Sequence, residues 1–149
     1  MVRKSRNLNM IEIPTENLDA AVSYMEKRGD VAALYLYGSY RTEYQTVFSD
    51  VDFAVLPFSK LSMDYVKEYE ILSELQHICE NEDISLVNLL KVPLTLQMRV
   101  LESGRLLYCR DKIHLADFKE YVIKRYCDFE PDLRGIYRDY DAGLREEYL

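Results

Sequence analysis

Residues Leu34 to Leu56 read LYLYGSYRTEYQTVFSDVDFAVL. The stretch closes an apolar run that opens at Val31 and breaks at Gly38-Ser39. A polar segment follows, and Asp50 and Asp52 then stand at the mouth of a second apolar run, Val51 to Leu56. Aromatic and β-branched enrichment predicts a buried strand over Val31–Tyr37 and another over Val51–Leu56, ended by Pro57. Side chains at i and i+2 share one face of a strand, so Asp50 and Asp52 project together while Val51, Phe53 and Val55 take the other side. Two adjacent carboxylates repel unless a cation lies between them, and hard oxygen donors of this kind suit Mg²⁺. Gly38 lacks a Cβ, so the backbone there can approach a ligand closely, and Ser39 adds a hydroxyl and backbone donors for phosphate oxygens. A phosphate cradle facing a carboxylate pair is the arrangement for Mg²⁺-assisted phosphoryl or nucleotidyl transfer.

Outward from this stretch, helix and strand signals alternate. Upstream, Thr15 is a candidate cap for a helix to about Arg28, with Leu18, Ala21, Val22 and Met25 at helical spacing and Gly29 as its stop. Residues 1–14 read as an N-terminal arm. Downstream, Ser62 is a candidate cap for a helix to about Glu80, whose buried stripe is Ile71, Leu75 and Ile78 with Leu72 and Cys79. Ile84–Leu90 reads as a third strand. Pro93 starts a short helix with Leu94, Met98 and Leu101 on one face, and Gly104 ends it. Arg105–Cys109 reads as a fourth strand. From His114 the pattern is helical through Leu115, Phe118, Val122 and Tyr126, with a break at Pro131 and a last helix carrying Leu133, Tyr137, Tyr140, Leu144 and Tyr148. The predicted class is α+β: a small mixed sheet flanked by helices in a single domain over 1–149, with 113–149 as a helical C-terminal extension.

Composition narrows the function. The chain has 149 residues and a formal net charge of −7, with 48% hydrophobic and 30% charged residues, which describes a globular domain. Residues 64–83 carry seven acids against Lys67 alone. A long nucleic acid needs a basic stripe, so it is not the expected partner; the acidic run reads chiefly as a solvated helix face and is compatible with a basic protein partner. No apolar run reaches membrane-spanning length, and the basic N-terminus lacks the apolar core of a secretory signal, so no membrane and a cytoplasmic location are expected. Cys79, Cys109 and Cys127 have no metal or disulfide spacing and read as reduced, mostly buried thiols; His77 and His114 read as surface or boundary residues. Of the 13 tyrosines, those in the tail read as core and interface packing.

Gly38-Ser39, ten intervening residues and then Asp50-Val51-Asp52, on strand–turn–strand, resemble the signature of the polymerase β-like nucleotidyltransferase superfamily. The stretches ISLVNLLKVPLTLQMRVLESGRLLYCRD and LADFKEYVIKRYCDFEPDLRGIY are similar to the third strand, Pro-started helix, fourth strand and closing helices of its minimal nucleotidyltransferases, the MNT group. The resemblance covers about residues 15–145. It implies an antitoxin that stands beside a HEPN-domain RNase toxin, forms a hetero-oligomer with it, and transfers AMP from ATP onto a tyrosine of the toxin. In that frame Asp50 and Asp52 are the catalytic, Mg²⁺-holding carboxylates, and Gly38, Ser39 and Arg41 bind the nucleotide.

The chain departs from the family pattern in two places. The third carboxylate of the superfamily falls on Ser85, and a hydroxyl is neither an anionic ligand nor a strong base. Asp83 lies two residues earlier and is the other occupant considered for that role. The Arg-Gly pair common after Gly-Ser reads Thr42-Glu43 here, with Arg41 one place early. Two other functions therefore stand beside AMP transfer: an antitoxin that acts by occluding the toxin, and a small-molecule nucleotidyltransferase. Lys91 and Arg99 read chiefly as surface residues, with nucleotide contact as their second role.

Overall fold

The computed structural model describes residues 13–37 and 51–129. Its elements follow in the order α1 (Thr15–Arg28), β1 (Val31–Tyr37), β2 (Val51–Pro57), α2 (Tyr65–Cys79), β3 (Ile84–Asn88), α3 (Leu94–Ser103) and β4 (Arg105–Cys109). A further helix, α4, occupies 112–129. The strands form one mixed sheet in the order β3-β2-β1-β4. β1 pairs antiparallel with β2 and β4, while β2 and β3 run parallel. The parallel pair needs a crossover, and α2 supplies it.

Both faces of the sheet are covered. On the first, Leu34, Leu36, Phe53, Val55 and Ile84 pack with Leu18, Ala21 and Met25 of α1 and Ile71, Leu75 and Cys79 of α2. On the second, Ala33, Tyr35, Ala54 and Leu56 pack with Val100 of α3 and with Leu115, Phe118 and Val122 of α4. Strict alternation along β2 divides its side chains between the two cores. It leaves Asp52 on the second face, one residue before Phe53 dives into the first. α4 thus enters the core through its first turns. Pro131 and the last helix expected from the sequence lie outside the described residues.

Local chemistry corrects several expected boundaries. α1 starts after Pro14, which fills the cap position without a side-chain hydrogen bond, so Thr15 is its first helical residue and not its cap. Gly29 ends α1 in the left-handed region at φ 77°, where only glycine sits without strain. Asp64, and not Ser62, caps α2: its carboxylate accepts from Lys67 N at 2.9 Å, while Ser62 folds back on Ser59. β3 stops at Asn88, two residues short of Leu90. There the Asn88 side chain accepts from Leu90 N at 2.9 Å and turns the chain out of the sheet. On α3, Leu94, Met98 and Leu101 pack partly against the second core, but the fully buried positions are Val100 and Gln97. Gln97 donates to Leu89 O at 2.7 Å, which ties α3 to the turn after β3.

The thiols differ in exposure. Cys79 is buried, Cys109 half-buried and Cys127 exposed, so Cys127 departs from the expected burial. Burial pushes the Cys79 thiol up to about 11. His77 is exposed, and His114 stacks against Phe58 with ring centroids 5.2 Å apart. No helix among the described residues is long and apolar enough to cross a membrane.

One polar network ties α1 to α2. Arg28 clamps Asp30 through two hydrogen bonds of 2.9 and 2.8 Å, donates to Tyr24 Oη at 3.1 Å, and reaches Glu70 at 3.3 Å. The hydrogen bond from Arg28 holds the Asp30 carboxyl below its ordinary value against the opposing effect of burial. A carboxyl with a lowered folded value stabilises the fold above its unfolded value of about 3.9 and loses that contribution as pH falls through the folded value. Asp30→Asn is therefore expected to cost about 1 kcal/mol at pH 7. Urea melts of both proteins from pH 7 down to pH 2 check this: the difference should shrink at the acid end.

Candidate active site

The two strands that flank the Gly38-Ser39 segment, together with β3, bring three side chains into one row. Asp52, the second residue of β2, is half-buried. Its register partner across the antiparallel pair is Tyr37, and across the parallel pair it is Ser85. Tyr37, Asp52 and Ser85 therefore lie side by side across three strands at one end of the sheet. The Ser85 hydroxyl donates a short hydrogen bond to Asp52 Oδ1. This fixes the orientation of the carboxylate, because Ser85 itself is held by the β3 backbone.

Tyr37 is the site residue that sequence patterning alone did not single out. Burial pushes its phenol above the ordinary value, the Asp52 carboxylate pushes it further, and the Arg99 guanidinium pulls it back. The phenol thus stays protonated at neutral pH, and Arg99 of α3 lies within electrostatic range of the row. The only signal in the sequence was indirect. If the two strands around the Gly-Ser segment pair as a hairpin, the residue just before Gly38 must face the residues just after Asp50.

Asp83 sits immediately before Ile84, the register partner of Val51. Its carbonyl accepts from Val51 N at 3.1 Å, and its own N–H donates to Asn81 Oδ1 at 2.7 Å. Its backbone thus closes the start of the β2–β3 pair. Ser85, and not Asp83, is the residue level with Asp52. Gly38, Ser39, Arg41 and Asp50 lie outside the described residues. Among the described residues no group of three or more histidine, cysteine, aspartate or glutamate side chains comes together as a metal cluster. Lys91 lies elsewhere, paired with Glu68 at 2.5 Å and 4.0 Å above the Tyr65 ring.

In its arrangement the site offers an oriented carboxylate, a neighbouring hydroxyl, a protonated phenol and a cation in range. Comparison with known proteins fits this chemistry. Residues 20–113, from α1 to the start of α4, match the family model "Polymerase beta, Nucleotidyltransferase". No curated protein sequence matches the chain significantly. Among solved structures, the chain is similar to one from the tri-AMPylated Shewanella oneidensis HEPN toxin in complex with MNT antitoxin. That likeness has a TM-score of 0.64 at 21% identity over 85% of this chain and 97% of the other. A toxin–antitoxin complex with AMP-PNP contains a chain with TM-score 0.66 and 23% identity, over 83% and 98% of the two chains. The MntA–HepT toxin–antitoxin pair contains one with TM-score 0.63 and 20% identity, over 85% and 98%. At these identities the likeness establishes the fold, and the family match covers more than half of the chain. The chain has the nucleotidyltransferase fold and belongs to the polymerase β nucleotidyltransferase family.

Proposed function

We propose that this chain is an antitoxin of the MNT kind that transfers AMP from Mg-ATP onto a tyrosine of a partner HEPN RNase and so silences it. The single observation that carries the proposal is the Asp52–Ser85 pair. The Ser85 hydroxyl donates to Asp52 Oδ1 and stands level with it across the parallel pair, which supports Asp52 as the metal-holding carboxylate and Ser85 as the residue in the third-acid slot. The tri-AMPylated toxin in the similar Shewanella complex supports a HEPN protein as the acceptor.

The donor set fits magnesium. Asp52 with Asp50 offers hard carboxylate oxygens, and neither thiol nor imidazole stands in the row. When bound, the ion supplies charge neutralisation on the triphosphate as the α-phosphate is attacked. The chain's own groups do the rest. Gly38 and Ser39 hold the outer phosphates through backbone and hydroxyl donors, and Arg41 adds a cation. Ser85 keeps Asp52 in one orientation. The phenol oxygen of the acceptor tyrosine forms the new bond to the α-phosphorus, the bond to the β-phosphate bridging oxygen breaks, and pyrophosphate leaves. The phenol proton goes to solvent, since Ser85 cannot take it.

That last point favours a tyrosine acceptor on chemical grounds. A phenol ionises near 10, whereas a water-like hydroxyl ionises near 15.7. A site without a carboxylate base level with Asp52 suits the more acidic nucleophile. The same reasoning disfavours an alcohol on a small molecule. The cytoplasm, where ATP is plentiful, is the proposed location, and the single domain over 1–149 is the proposed unit.

Incubating the purified pair with α-labelled ATP and Mg²⁺ tests the proposal. Label should appear on the RNase, require Mg²⁺, and coincide with loss of RNase activity. Inhibition of the RNase at full stoichiometry with no label would favour occlusion instead.

A further inference from the structure

The solvent side of α2 carries an apolar strip that packs into neither core among the described residues. Leu61 is 98% exposed, Tyr65 79%, Val66 66% and Tyr69 70%. Tyr65 and Tyr69 are one helical turn apart, Tyr69 lies between Tyr65 and Val66 on the wheel, and Leu61 precedes them in the turn entering the helix. The buried stripe of the same helix, Ile71, Leu75 and Cys79, faces the other way. Four large apolar side chains concentrated within nine residues mark an interaction surface more than a solvent face. Tyrosine is well suited to that use, because it buries a large rigid ring and keeps a polar tip.

The rim is acidic. Asp64 and Glu70 are exposed beside the strip, and Glu74 follows one turn on. The cations near it are engaged: Lys91 pairs with Glu68 and lies over the Tyr65 ring, Lys67 donates to Ser62 O at 3.1 Å, and Arg28 reaches Glu70 at 3.3 Å. A second copy of the chain is a poor occupant, since it would set the same acids against each other. A partner with basic residues around an apolar strip is complementary. An RNase must present such cations, because its substrate is a polyanion.

The strip is also remote from the candidate active site. Asp52 opens β2, whereas Leu61 and Tyr65 follow its far end. The five residue steps from Asp52 to Pro57 alone span about 16 Å at the strand rise. We infer that the Leu61–Tyr65–Val66–Tyr69 face of α2 is a docking surface for the basic RNase partner, separate from the transfer site. This rests on the proposed function. It gives the partner an anchor that holds while the acceptor tyrosine reaches the nucleotide at the other end of the sheet.

The test measures binding of the full chain to its HEPN RNase partner by calorimetry, together with Mg-ATP binding and thermal melting of each variant. The Leu61→Asp/Tyr69→Asp double variant should bind the RNase about 30-fold or more weakly, the loss typical of a central interface aromatic. Its Mg-ATP affinity and melting should stay as in the wild type. Glu74→Lys, which alters only the rim, should weaken binding about threefold and reduce its salt dependence. Variants that bind the RNase as tightly as the wild type overturn the inference while leaving AMP transfer standing. Loss of self-association in place of RNase binding overturns it in favour of a dimer face. If the wild type neither binds nor labels the RNase, the proposed function fails and the docking surface with it.

Discussion

Asp52→Asn is expected to lower AMP transfer by about 10³-fold or more while leaving the fold intact. The two halves of this expectation have different physical sources. An amide oxygen has the shape of a carboxylate oxygen but not its charge, so a metal–triphosphate complex loses the anion that positions it. Charge stabilisation of this kind acts mainly in the transition state, and removing it usually lowers the rate more than nucleotide affinity. The fold, by contrast, keeps its contacts. Ser85 can donate to the amide oxygen as it does to Asp52 Oδ1, and the neighbours Val51 and Phe53 remain buried on the other face. Single-turnover labelling of the RNase, paired with a thermal melt, checks both halves. Transfer within tenfold of the wild type would show that Asp52 does not hold the reacting complex.

Ser85→Asp carries the second large effect, and its sign depends on the metal. In chelator the variant places a carboxylate directly level with Asp52 on the parallel neighbour strand, in the position the Ser85 hydroxyl occupies. The stabilising hydrogen bond is lost, and like charges directly opposite across strands destabilise, so the variant should lose about 1–2 kcal/mol of stability. Mg²⁺ should restore much of it by binding between the acids. With Mg-ATP and the partner, the new carboxylate can accept the phenol proton. General-base help of this kind is worth about 10²-fold or more at neutral pH. The pH profile separates this from a structural effect. Wild-type transfer should rise with pH as more of the acceptor phenol ionises, whereas the variant should be much flatter between pH 6 and 9. Ser85→Asn serves as the control, because it restores bulk and hydrogen bonding without a base. If both substitutions leave the pH profile unchanged, proton removal does not limit the rate.

The sheet was legible in the sequence because its central strands are unambiguous. Val31–Tyr37 and Val51–Pro57 are runs of apolar and β-branched residues bounded by Gly29, Gly38 and Pro57, and few other structures suit such runs. Arg105–Cys109 followed from Gly104, read as the stop of the helix before it; the structure shows why glycine stands there, since an added Cβ would lie 2.3 Å from the Val100 carbonyl oxygen. The helix starts were less legible. Thr15, Ser62 and Asp64 are all competent caps, and their competition is settled by geometry that a sequence does not contain. The end of β3 was missed because Asn88 satisfies the next backbone donor with its own side chain, a local alternative to the ladder.

The site divides in the same way. Ser85 was assigned to the third-carboxylate slot through the family resemblance, and the parallel register sets it level with Asp52. Tyr37 required the pairing of two strands across a polar segment, which is tertiary information. Arg99 required the packing of α3 over the second face. The roles of Gly38, Ser39, Arg41 and Asp50 stay with the sequence, since these residues lie outside those described.

The most direct single measurement is the intact mass of the HEPN RNase after incubation with this chain, Mg²⁺ and ATP, followed by mapping of the modified peptide. The proposed function requires a gain of whole AMP units on a tyrosine, absent with Asp52→Asn and absent without Mg²⁺. An RNase that is fully inhibited by the chain at unchanged mass would contradict AMP transfer and leave the fold as a scaffold for binding alone.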